Sequence, residues 1–336
     1  MSSRSPRGPR SVRRPRRALV LSAAALVAAP LLAACGGDSD AASSATGQAK
    51  GDKAGGINIG PDQNRVRGTK DEKIAALLPD GIRESGLLRT GLGADSSPPL
   101  GFFATDDKTR IGSEIDIATL VADTLGLKVK PQTVSWENLF VGLDSGKFDA
   151  VFSNVTVTEE RKEKYDFATY RLDNIAFEAK KDADWKITGP KDVAGRTISV
   201  SSGTNQERIL IDWSEQNEKA GRKPVDIKYF QKDTDYYLAL QSGRIDGHLG
   251  PYPTVAYHVA TSGQTKVVGS LSGAGDALQG KIAATTKKDS GLVDAYAAAL
   301  DHVIADGSYA KVLKRWGLSG EAVKKSEVNP EGLPRT

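Results

Sequence analysis

Residues 143–151 read Leu-Asp-Ser-Gly-Lys-Phe-Asp-Ala-Val, and residues 240–248 read Leu-Gln-Ser-Gly-Arg-Ile-Asp-Gly-His. Leu, Ser, Gly and Asp coincide between position 143 onward and position 240 onward, an offset of 97 residues. Each copy ends a helix with a glycine just past it and opens a short strand. The helices are expected over Trp136–Asp144, capped by Ser135, and over Thr234–Gln241, capped by Asp233. The unit is too short and too widely spaced for a solenoid. A common αβ turn signal can also produce such a pair, so the surroundings decide what it means.

The surroundings alternate helix and strand patterns, as α/β domains do. Strands are expected at Leu87–Gly91, Lys128–Gln132, Phe148–Phe152, Thr197–Val200, Asp226–Phe230 and Lys281–Thr285. Helices are expected at Asp116–Leu125, Gln206–Gln216, Tyr252–Ala260, Val293–Ala305 and Tyr309–Trp316. The fold class is therefore α/β, in two similar lobes joined by two hinge crossings near 174–182 and 277–286. Residues 74–180 with 281–320 are expected to form lobe 1, residues 181–280 lobe 2, and residues 321–336 a polar tail. Ligands of open α/β sheets sit beyond the carboxyl ends of strands, and clefts between lobes are frequent small-molecule sites. The repeat places two such ends opposite each other, Ser153-Asn154 and Gly250-Pro251.

The net charge of +4 over 336 residues misleads. Residues 1–34 hold seven arginines and no acid, which leaves 39 Lys and Arg against 42 Asp and Glu in the rest, about −3. That balance removes support for nucleic-acid binding. The basic start, the apolar run Ala18–Ala34 and the tetrapeptide Leu32-Ala33-Ala34-Cys35 read as an export signal over 1–34. Its end resembles the bacterial lipobox, which makes Cys35, the sole cysteine, the lipid-bearing residue. Arg13-Arg14 hints at twin-arginine export, although Pro15-Arg16-Arg17 fits that motif poorly. Residues 35–73, rich in Gly, Ala, Ser, Asp and Lys, are expected to be a flexible linker. No internal disulfide is possible, and no later segment is long and apolar enough to span a bilayer. His248, His258 and His302 show no metal-ligand spacing, so neither a metal nor a cofactor is expected.

One stretch stands out chemically, Ser153-Asn154-Val155-Thr156-Val157-Thr158-Glu159-Glu160-Arg161. Hydroxyls alternate after a strand, Thr158 reads as a helix N-cap, and Arg161 falls in the first helical turn. A cation there opposes the macrodipole by a few tenths of a kcal/mol. By spacing alone, Arg161 is as well explained by a surface pair with Glu159 or Glu163 as by an anion site.

Several motifs in order resemble the extracellular solute-binding protein family 3, over roughly residues 84–318. Trp136-Glu137-Asn138-Leu139 followed by Leu143–Ala150 is similar to the family's W-x-x-L…L-x-S-G-K-x-D-A. Ser153–Arg161 resembles its S-x-x-S/T-x-T-x-x-R run, Asp166-Phe167 its following element, and Gly203–Glu207 its G-T-x-x-E turn. The resemblance implies a receptor of an ABC importer for amino acids or related small carboxylates, most simply a monomer working with a permease and its ATPase. It implies that Arg161 clamps the ligand carboxylate, that Ser153, Asn154 and Thr156 add contacts, and that Thr204 and Asn205 contribute from lobe 2. It implies that Trp136 packs on the ligand. Tyr252 is a further cleft candidate, from its place after the second strand end.

The chain departs from the family at three places. Ser97-Pro98-Pro99-Leu100 lacks the aromatic that covers the ligand, for which Phe102 or Phe103 would have to stand in. Gly112-Ser113-Glu114-Ile115-Asp116 lacks another. Pro251 stands where an aspartate for the α-ammonium is expected, which leaves Asp95 or Glu114 for that task, or a ligand without a standard ammonium. An exported dehydratase-like enzyme on the same fold and a ligand-sensing subunit are the rival expectations.

Overall fold

The computed structural model describes residues 53–94 and 97–335. Short strands β1 (Lys53–Ala54) and β2 (Ile57–Asn58) precede helices α1 (Glu72–Ala75) and α2 (Asp80–Ser85). Lobe 1 continues with β3 (Leu87–Gly93), β4 (Phe102–Phe103), β5 (Arg110–Ile111), α3 (Ser113–Thr124), β6 (Lys128–Val134), α4 (Trp136–Asp144) and β7 (Ala150–Val151). The long strand β8 (Tyr165–Lys180) leads into β9 (Thr197–Val200), α5 (Asn205–Lys219), β10 (Asp226–Tyr229) and α6 (Asp233–Gln241). Then come β11 (Gly247–Pro251), α7 (Tyr252–Ser262) and β12 (Thr265–Ser272). The chain returns through β13 (Gly280–Lys287), α8 (Val293–Ala305) and α9 (Ser308–Arg315).

One strand order runs through both lobes, β10-β9-β11-β8-β13-β7-β3-β6, with β12 also on β8. Strand β8 changes partners in mid-course. Its residues from Tyr165 to Asp173 pair with β13, and those from Asn174 onward pair with β11 and β12. The first crossing thus falls at Asp173–Asn174, at the very start of the expected segment. The second is the stretch 273–279 between β12 and β13.

Two cores follow from the pattern. In lobe 1, Ile117, Leu120 and Val121 of α3 pack with Tyr296 and Leu300 of α8 and with Trp316 over Leu88 and Leu92. In lobe 2, Leu210 and Trp213 of α5 cover Phe177, Ile198, Val200 and Leu249. Helix α4 closes the other face of lobe 1 through Leu139 and Leu143, which cluster with Phe148 of the segment that follows. Within α4, Gly142 is where the Phe148 ring seats, and a Cβ there would lie 2.2 Å from the ring. Gly142→Ala is therefore expected to destabilise by about 1–3 kcal/mol in urea unfolding, although alanine is the better helix former. A stabilised variant would contradict this packing.

The structure corrects several expectations. Residues 53–70 are not a free tether. Arg65 pairs with Asp116, Arg67 Nε donates to Asp123 at 2.7 Å, and Gly68 N donates to the same carboxylate at 3.0 Å. The composition looked unstructured, but its arginines meet acids spaced along α3. The segment 321–336, expected as a polar tail, is held by backbone bonds over its described part. Asn329 N donates to the Phe167 carbonyl at 2.9 Å, and Leu333 and the Val157–Glu159 backbone exchange bonds at 3.0–3.1 Å. Thr158 accepts from Arg161 N at 3.1 Å, but only a single 3₁₀ turn, Arg161–Glu163, follows. With no α-helix there, Arg161 opposes no macrodipole. Ser135 makes no capping bond, and α6 begins at Asp233 itself with Lys232 at the N-cap position, so Asp233 is not the cap residue. Residues 1–34, expected as an export signal, and Cys35 and Asp95 lie outside the described residues.

Candidate ligand-binding cleft

The lobes meet over a cavity whose walls come from both. Gly93, Ser97, Leu100, Trp136, Ser153 and Asn154 face it from lobe 1. Ser201, Thr204, Asn205, Gln206, Gln231, Asp233, Tyr236 and His248 face it from lobe 2, with Pro251 at the end of β11. The Gly203 carbonyl is where the lobes touch: Trp136 Nε1 donates to it at 3.2 Å and Arg161 Nη2 at 3.0 Å. Gln231 Nε2 reaches Glu137 at 3.1 Å, and Ser97 Oγ donates to Asp233. Each of these bonds joins one lobe to the other, so the described arrangement is a closed one.

The carboxyl end of β7 supplies Ser153 and Asn154. Ser153 Oγ accepts from Gly93 N at 2.8 Å, which ties it to the end of β3. Asn154 has φ of 53°, a left-handed conformation that asparagine tolerates better than most residues. A buried network holds it there. Its N–H donates to Glu114 at 2.9 Å, its Oδ1 accepts from Arg171, and Arg171 also pairs with Glu321 and with Glu114 at 3.5 Å. Burial opposes the Arg171 charge, and the pull of Glu321 and Glu114 outweighs it, so its pKa is held above the ordinary value. Glu114 is 1% exposed and also accepts from Tyr170 OH. It belongs to this network and does not face the cavity, so it cannot take the role its sequence position suggested.

Lobe 2 presents the N-terminus of α5. Thr204 Oγ1 accepts from Glu207 N at 3.2 Å, and Glu207 returns a bond from Gly203 N at 2.6 Å, a variant of the capping box. Asn205 and Thr156, both expected ligand contacts, converge instead on Asp173 at the crossing. Asn205 Nδ2 donates to Asp173 Oδ2 at 3.0 Å and Thr156 Oγ1 at 2.8 Å. Asn205 also faces the cavity, whereas Thr156 is fully buried beneath it. Gly273 of the second crossing lies so close to Asp173 that any Cβ would collide at 1.8 Å.

Burial raises the Asp173 carboxyl from its ordinary value to about 6, against the opposing effects of the Thr156 bond and the Arg171 charge. An acid whose folded pKa is raised binds its proton more tightly in the folded state. Its contribution to stability is complete below the unfolded value near 4 and is lost as pH rises through about 6. Asp173→Asn keeps an acceptor for Thr156 and Asn205 without the charge. The variant is expected to gain stability relative to wild type as pH is raised from about 4 to above 6. Parallel melting-temperature profiles of the two proteins over this range would exclude the effect.

Arg161 opens onto a second depression beside the cavity, with Phe140, Glu160, Tyr165 and Arg208; Thr204 and Asn205 line both. Its Nη1 donates to the Thr156 carbonyl at 2.9 Å, and its guanidinium lies 5.3–5.4 Å from the rings of Phe140 and Trp136. Burial lowers its pKa to about 10, which leaves it charged at neutral pH. Tyr252, the first residue of α7, turns away from the cleft. It is 39% exposed and lines a separate cavity with Pro99, Asn174, Tyr257 and Trp316. Phe102 packs in the core against Trp316 and Phe103 lies under Arg110, so neither covers the cleft. Sequence reasoning missed Gln231, Asp233, Tyr236 and His248. His248 is held neutral by burial, its pKa lowered to about 3, with Nδ1 2.9 Å from Ser199 Oγ and its ring stacked on Tyr236. Among the described residues no cluster suits a metal ion, and no helix is long and apolar enough to cross a membrane.

This geometry agrees with what the chain is similar to. The L-cystine-binding protein TcyJ of Escherichia coli (strain K12) is 34% identical over 169 residues, covering 50% of this chain and 60% of that relative. The arginine-binding protein ArgT of Corynebacterium glutamicum is 26% identical over 294 residues, covering 87% of this chain and 92% of the relative. A crystal structure of a mutant of ArgBP from T. maritima aligns with a TM-score of 0.61 at 26% identity, over 71% of this chain and 98% of that one. Residues 89–319, spanning both lobes and the cleft, match the family of bacterial extracellular solute-binding proteins, family 3, and the chain belongs to that family.

Proposed function

We propose that the cleft captures an amino acid and that the closed form hands it to an ABC permease and its ATPase. The observation that carries this reading is the cavity itself, lined by hydroxyls and amides from both lobes, with the N-terminus of α5 at one wall and Arg161 beside it. The ligand carboxylate is placed at Thr204 and Asn205, where helix N–H groups favour an anion and the guanidinium is adjacent. The Arg161 guanidinium has five N–H donors and spends two on the Gly203 and Thr156 carbonyls, so three remain for a carboxylate. Closure is driven by contacts that a ligand makes to both lobes only when they meet. The names of the relatives, which bind arginine and L-cystine, support an amino acid as the ligand class. Lipid on Cys35 would hold the receptor, as a monomer, on the outer face of the membrane.

A thermal-shift screen of amino acids and simple carboxylates tests the reading. A ligand at 100 times its Kd stabilises by about 2.7 kcal/mol and raises Tm accordingly. A panel in which no amino acid raises Tm would overturn it.

A further inference from the structure

We propose that Asp233 receives a cationic group of the ligand, an alkylammonium or guanidinium, within the cavity between the lobes. The proposal rests on the amino-acid reading above and adds a residue to it. Among the described residues that line the cavity, Asp233 is the one Asp, Glu, Lys or Arg; the other polar walls are hydroxyls, amides and the neutral His248. A cavity whose described walls carry one formal negative charge is complementary to a cation. Leu100, Trp136, Tyr236, Leu249 and Pro251 add apolar surface to the same cavity, so charge pairing is less screened than in water.

The placement of the carboxylate points the same way. Asp233 is the first residue of α6, after the N-cap Lys232, which makes no side-chain capping bond. The Asp233 carboxylate reaches across the cleft and accepts from Ser97 Oγ of lobe 1. A ligand cation bound there would touch a lobe 2 acid beside a lobe 1 hydroxyl, and that pair exists only in the closed form. Among the described residues, the other positions that the sequence suggested for the role do not take it. Glu114 is consumed by Asn154, Tyr170 and Arg171, and Pro251 offers neither a charge nor an N–H.

Titration calorimetry of the purified protein and its Asp233→Asn and Asp233→Glu variants tests this, using L-arginine, L-glutamine and agmatine (arginine without its carboxylate). Asp233→Asn is expected to weaken by at least about tenfold every cationic probe that wild type binds, with partial recovery in Asp233→Glu. A loss confined to L-arginine and agmatine assigns the side-chain cation, and a loss shared by L-glutamine assigns the α-ammonium. Unchanged affinities in Asp233→Asn would overturn the proposal while leaving the amino-acid reading intact. Wild-type binding of agmatine alone, lost in Asp233→Asn, would uphold Asp233 and overturn the amino-acid reading. Failure of wild type to bind any of the three would overturn the proposal. Should Asp233→Asn fold poorly, Asp233→Glu decides: it keeps the charge but moves it by one methylene, so affinities identical to wild type for all probes would count against a direct contact.

Discussion

Replacing Arg171 with methionine is expected to lower the stability of the protein by about 3–5 kcal/mol, the cost of leaving buried charges without their partner. Arg171 is fully buried on β8 and is shared by Glu114, Glu321 and the side chain of Asn154. Without it, two carboxylates stay in the interior and the left-handed Asn154 loses a restraint. The damage would reach the ligand site as well, because Asn154 lines the cleft. Urea unfolding of Arg171→Met checks the magnitude. Adding Glu114→Gln should recover part of the loss, since it removes one of the stranded charges. A loss below about 1 kcal/mol in the single variant would mean that the network contributes little.

Arg161→Ala is expected to weaken the binding of any carboxylate-bearing ligand by about 100-fold, equivalent to about 3 kcal/mol. The variant removes the cation beside the α5 N-terminus together with its bond across the lobes to Gly203 and its bond within lobe 1 to Thr156. Arg161→Lys should fall in between, because an ammonium keeps the charge without the planar fork. Calorimetry separates the two contributions: a ligand amine without a carboxylate should lose far less than the parent amino acid. Unchanged affinity for the amino acid in Arg161→Ala would remove the clamp from the account.

Much of this was legible in the sequence because the signals were local. The repeated Leu-x-Ser-Gly turn marked α4 with β7 and α6 with β11, and the ends Ser153-Asn154 and Gly250-Pro251 do face one cavity. Side-chain direction was not legible. Asp233 read as a cap because a cap is a local option, but Ser97, 136 positions away, is its partner instead. Tyr252 follows the strand end in sequence, yet as the first residue of α7 it lines another cavity. The long strand β8 was hidden because Arg171, Asp173 and Glu178 look like a solvent face; all three are buried, against Glu114 and Glu321, Thr156 and Asn205, and His258. The segment 53–70 carries only a linker signal because it holds on by hydrogen bonds and ion pairs, which leave no hydrophobic period. Trp136, Thr204 and Asn205 line the cavity, whereas Thr156 is buried and bonds Asp173 instead.

The central claim is that a ligand is held between the lobes, and a crystal structure of the protein with an amino acid that raises its Tm tests this most directly. The account predicts density in the cavity bounded by Ser153 and Asn154 on one side and Thr204 and Asn205 on the other, with a carboxylate toward Arg161 and a cation at Asp233. Density in the cavity beside Tyr252, or on the outer surface with the cleft empty, would contradict it.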